Sequence, residues 1–120
     1  VYERLDLGSQ HIRLLVLFPG RWTDPLSCAL SLVSLNDRPI YEAVSYAWGN
    51  RTSRRTIHLD DRLYSVTAAL EIVLRHPTKA RIIWVDALCI NQSDPEERTH
   101  QVNMMCAIYS LAQEVFLFLG

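Results

Sequence analysis

The hydrophobic residues of this chain switch between a period of two and a period near 3.6 several times within 120 residues, which restricts the fold more than any other feature. Ile12–Leu17 is apolar and rich in strand formers, and it stops at the turn dipeptide Pro19-Gly20. In 27–35, Cys28, Leu30 and Leu32 face one way while Ser27, Ala29, Ser31 and Val33 face the other, as in a half-buried strand. Together the two runs, Ile12–Leu17 and Ser27–Leu35, predict an N-terminal β-hairpin, broken off by Asn36-Asp37-Arg38-Pro39. Tyr41–Ala47 is a further extended run and ends at Gly49-Asn50.

A polar loop, residues 51–55 (RTSRR), separates that strand from a small hairpin in which Asp60-Asp61 joins Thr56–Leu59 to Arg62–Tyr64. From Thr67 the period becomes helical: Thr67 caps, Leu70, Val73 and Leu74 share a face, and Pro77 stops the helix. Arg81–Val85 is nearly unbroken in apolar residues, the pattern of a strand covered on both faces. Asp94-Pro95-Glu96-Glu97 starts a second helix, with a capping acid, Pro at the first helical position, and two glutamates read as capping residues. Val102, Met105, Ile108, Tyr109 and Ala112 are its expected apolar stripe, and Val115–Leu119 is expected as another buried strand.

From Tyr41 the order is therefore strand, hairpin, helix, strand, helix, strand, which predicts right-handed crossovers and a parallel sheet flanked by helices, with the N-terminal hairpin added to it. The length suits one domain. Twelve basic and 13 acidic residues leave a formal charge of -1, so general nucleic-acid binding is not expected. The longest apolar runs have five residues, far short of the roughly 20 that span a membrane. Cys28, Cys89 and Cys106 form an odd, scattered set, which fits reduced thiols in the cytoplasm. Neither they nor His11, His58, His76 and His100 have the spacing of a metal site. A chain running from Val1 to Gly120, with an apolar run just before its last residue, reads as a piece of a longer protein.

Ligands in parallel sheets bind beyond the carboxyl ends of the strands. Two unusual stretches fall at such ends. The first places Glu42, Ser45, Tyr46, Trp48 and Gly49 on or after a strand; the second places Asp86, Cys89, Asn91 and Gln92 at the mouth of a buried one. These nine residues are the candidate site, with roles in binding or in shaping a shared cleft. Packing of the aromatics and capping by Asp86, Asn91 and Gln92 are the structural alternatives. Cys89, between Leu88 and Ile90, reads as a buried and unactivated thiol.

The segments YEAVSYAWGN, IIWVDALCINQSDPEERTHQVNMMCAIYSLA and VFLFLG resemble the fungal heterokaryon incompatibility (HET) domain. That family shows YxALSYxWG, WxDALCINQxDxxER with a following QVxxMxxIYxxA helix, and a terminal strand ending in Leu-Gly. HIRLLVLFPG and TAALEIVLR also sit where the family has an IRLL strand and an NLxxALxxLR helix. Val44 and Phe118 depart from the commoner Leu and Trp. The resemblance implies one HET domain over residues 1–120, acting in fungal non-self recognition and programmed cell death through self-association or a protein partner. It also implies a remote likeness to TIR domains and their flavodoxin-like α/β fold, some of which hydrolyse NAD. In that second reading Trp48 stacks on a ring, Asn91 and Gln92 bond ribose or amide groups, and Arg51, Arg54 or Arg55 pairs with phosphate. The catalytic acid of such an enzyme would lie beyond residue 120.

Overall fold

A computed structural model describes residues 2, 5, 8, 10–18, 26–46, 53–75 and 82–118. In chain order the elements are β1 (His11–Leu17), β2 (Ser27–Ser34), β3 (Glu42–Tyr46), β4 (Arg54–Leu59), β5 (Arg62–Thr67), α1 (Ala68–Leu74), β6 (Ile82–Val85), the single turn α2 (Asp86–Cys89), α3 (Pro95–Leu111) and β7 (Glu114–Phe118). The strands form one mixed sheet in the order β5-β4-β2-β1-β6-β3-β7. Among the described residues the fold is thus mixed α/β, a seven-stranded sheet flanked by helices.

The local signals act as their chemistry requires. Asp60 and Asp61 have φ of 52° and 62°, the pair of left-handed residues that a two-residue hairpin turn needs, and Leu59 pairs with Arg62 across it. The Thr67 hydroxyl accepts from the Leu70 amide at 3.1 Å and starts α1, which buries Leu70 and Leu74. Asp94 starts α3 in the same way, accepting from the Glu97 amide at 3.2 Å, with Pro95 first in the helix. The three strands β6, β3 and β7 run parallel.

Three expectations are corrected. The N-terminal hairpin forms, with β1 and β2 antiparallel, but it is built into the sheet and not added at its edge. β1 lies between β2 and β6 and is antiparallel to both, so the sheet is mixed. Its sequence explains the place: Ile12, Arg13, Leu14 and Leu15 are all buried, a strand covered on both faces. β7, expected to be buried, is an edge strand that pairs with β3, and Val115 and Leu117 are 50% and 65% exposed. Finally, of the expected stripe on α3, Ile108 is buried and Met105, Tyr109 and Ala112 pack against the core, but Val102 is exposed and the first two turns bury Glu97 and Gln101 instead. Polar residues occupy that part of the buried face, so counting apolar residues alone misses it.

Among the described residues β4 joins β2 through two residue pairs, Ser27 with His58 and Cys28 with Leu59. Beyond them the β4–β5 hairpin comes over the core, where Ile57, Leu59 and Val66 are buried with Leu70 of α1. That placement brings the end of β5 against α2 and the turn after β6.

Candidate functional site

The parallel pairing of Val44 with Val85 sets the carboxyl ends of β3 and β6 side by side, so Ser45, still paired with Leu117 of β7, lies next to the point where the chain leaves β6 at Asp86. Tyr109 of α3 closes over them. Its ring stands edge-on to Trp84 at 5.6 Å between centroids. Burial raises the Tyr109 pKa, the Ser45 hydroxyl offsets part of that rise, and the Asp86 charge adds to it. Asp86 itself is pushed above the ordinary carboxylate range by burial, against the pull of the Ala87 amide and its own. Ser45, Asp86 and Tyr109 therefore lie near one another at the mouth of the sheet.

The turn from Asp86 to Asp94 is fastened from beneath by a buried ion pair. Arg13, in the middle of apolar β1, donates through Nη1 and Nη2 to the two carboxylate oxygens of Glu97, each at 2.7 Å. Both side chains are 2% exposed. Glu97 Oε2 also accepts from the Asn91 amide at 2.6 Å, and Arg13 Nη1 reaches the Cys89 carbonyl at 3.4 Å. Tyr2 lies over the guanidinium, 5.0 Å from ring centroid to Cζ, and donates its hydroxyl to the Leu88 carbonyl. Glu97 is thus not a reciprocal capping residue, as its position in the motif predicts. Its carboxylate turns inward because a buried guanidinium must be paired.

Cys89 is fully buried; its sulfur accepts from the Val85 amide, and burial pushes its thiol up to about 12. That agrees with an unactivated thiol. Asn91 Oδ1 accepts from the Ser93 amide, closing an Asx turn. Gln92 Nε2 donates to the carbonyls of Asp86 at 2.9 Å and Ile90 at 3.4 Å. These three side chains hold the loop's shape. Glu42 sits at the amino end of β3, register-paired with Glu114, and burial together with that neighbour raises its pKa. It is therefore at the opposite end of the strand from Ser45. The backbone of Tyr46 pairs with Phe118, whereas the Tyr46 side chain, Trp48 and Gly49 lie outside the described residues.

Sequence reasoning missed Arg13, Glu97 and Tyr109 as parts of this edge. Two signals were available: an arginine inside a buried strand calls for an anion, and Glu97 lies four residues before Gln101 on the face that continues through Met104 and Ile108.

A shallow cleft of about 170 Å³ opens beside Gln92, between β5 and α2. Binding pockets for whole organic ligands run to about 300–1,000 Å³, so this cleft does not fit a dinucleotide such as NAD. A larger open groove, about 650 Å³, lies at the amino ends of β3 and β7 beside Arg38, Ile40 and Leu111, away from the carboxyl edge. Among the described residues no group of three His, Cys, Asp or Glu side chains is placed to hold a metal ion. No helix among them is long and apolar enough to cross a membrane.

Comparison with known proteins agrees with this architecture's most distinctive segments. Residues 41–120 match the family model described as heterokaryon incompatibility protein (HET). The chain belongs to the HET family. It is also 36% identical, over 138 aligned residues covering 99% of it, to heterokaryon incompatibility protein 6, OR allele, of Neurospora crassa. The chain spans 20% of that relative's length. No solved structure matches it.

Proposed function

We propose that this domain serves fungal non-self recognition, as a module of a cytoplasmic cell-death effector that acts by self-association or by binding a protein partner. The observation that carries the reading is the family match over residues 41–120, joined to a relative named for heterokaryon incompatibility. The geometry adds support. The parallel strands lie in the order β6-β3-β7, which is second, first, third along the chain, as at the start of a flavodoxin-like sheet. That order favours the flavodoxin-like, TIR-like reading of the fold. At the carboxyl edge, Cys89, Asn91 and Gln92 are engaged in internal bonds that shape a surface, which suits recognition better than turnover.

The test uses the full-length protein. Light scattering across a hundredfold range of concentration, alone and with extract from an incompatible strain, should show concentration-dependent or partner-dependent assembly. Incubation with NAD should release no nicotinamide. Steady nicotinamide release from a protein that stays monomeric would replace the association reading with a TIR-like NAD glycohydrolase.

A further inference from the structure

We propose that the cleft between β5 and α2 is a binding site for a phosphate group, with Arg54 as its anchor. This rests on the cleft alone and not on the association reading. Arg54 lines the cleft together with Ser65, Thr67 and Gln92, and no carboxylate lines it. The guanidinium is already oriented. Its Nε donates to Ser65 Oγ at 3.0 Å and its Nη2 to the Ser65 carbonyl at 2.9 Å. Both bonds use the side edge of the fork. The end edge, Nη1 with the second hydrogen of Nη2, has no partner among the described residues, and no carboxylate there pairs with Arg54. That edge presents two parallel N–H donors and can take an oxyanion in a bidentate manner.

The neighbouring hydroxyls supply more donors. Ser65 Oγ accepts from Arg54 and Thr67 Oγ1 accepts from the Leu70 amide, so the hydrogen of each remains to be donated. A planar fork and two hydroxyls around a small hollow suit a tetrahedral group with three acceptor oxygens better than a planar carboxylate. A volume of about 170 Å³ holds the phosphate and little else, with the rest of a phosphate ester left outside. Arg55, the next residue, is a control: it donates to the Arg54 carbonyl and does not line the cleft.

The experiment is site-resolved arginine modification of the full-length protein by phenylglyoxal, read by peptide mass spectrometry. The probes are inorganic phosphate, glycerol phosphate and, as an ionic-strength control, chloride. Saturating phosphate should slow modification of Arg54 at least about fivefold and that of Arg55 less than twofold, with chloride without effect. Glycerol phosphate protecting at lower concentration than inorganic phosphate identifies an ester as the natural source, and the reverse order identifies the free ion. Arg54→Lys, which keeps the charge but lacks the fork, should weaken phosphate binding about tenfold. Equal protection of Arg54 and Arg55, protection by chloride, or no protection of Arg54 would overturn the assignment.

Discussion

Arg13 and Glu97 decide whether the Asp86–Asp94 turn keeps its shape, because Glu97 alone joins the guanidinium to the Asn91 amide. Removing one partner of a buried pair leaves an uncompensated charge, so Glu97→Gln or Arg13→Met should each cost about 3–5 kcal/mol in urea unfolding. Arg13→Met with Glu97→Leu should cost less than either single change, since only the Asn91 amide and nearby carbonyls then lose partners. A double variant as unstable as the sum of the singles would contradict the pairing. Asp86 gives a pH signature. Its raised pKa means that the folded protein keeps a proton at pH values where the unfolded chain, with a pKa of about 3.9, has released it. Its contribution is therefore most favourable at low pH and declines as pH rises through the folded value. Asp86→Asn should flatten that decline when denaturation midpoints are compared across about pH 4 to 7; an unchanged slope would count against a buried carboxyl. Glu42, raised for a related reason, should act in the same direction. At this scale the candidate residues were half legible. Asp86 and Ser45 stand out as polar groups at strand ends, but Tyr109 reads as one more apolar position on a helix until its partners are placed.

Among the elements, the clearest were those with local chemistry. The Asp60-Asp61 turn and the Thr67 and Asp94 caps are set by side chains within three residues, so they can be read directly. The turn offers a sharp test because its two aspartates differ. Asp60 Oδ1 accepts from the Leu30 amide at 3.0 Å, just past the last residue pair between β2 and β4, while Asp61 takes a left-handed φ of 62°. Asp61→Gly should stabilise the protein by a few tenths to about 1 kcal/mol by relieving that backbone. Asp60→Gly should give no gain, or lose about 1 kcal/mol, because the Leu30 amide loses its acceptor. Thermal unfolding of the two variants separates these outcomes. Elements whose place depends on distant neighbours were harder to read. The composition of β7 fits a buried strand and the place of β1 in a leading hairpin suggests an added one, yet pairing sets β7 at the edge and β1 in the centre.

Over the whole molecule, strand order is the property that periodicity could not supply. The alternation of strands and helices after Tyr41 implies the parallel set β6, β3 and β7, but nothing local says that β1 inserts antiparallel beside β6 and carries Arg13 to Glu97. That insertion links the first strand to the WVDALCINQ segment, so the N-terminal strand shares one sheet and one buried ion pair with the elements of residues 41–118. We propose that this carboxyl edge, marked by Asp86, is the working surface of a cell-death module. The decisive experiment is expressing the full-length protein in fungal hyphae as wild type and as Asp86→Ala, with soluble protein level and thermal unfolding measured in parallel. Asp86→Ala is expected to stay folded and soluble and no longer to kill. Killing at the wild-type level by a folded Asp86→Ala protein would contradict it.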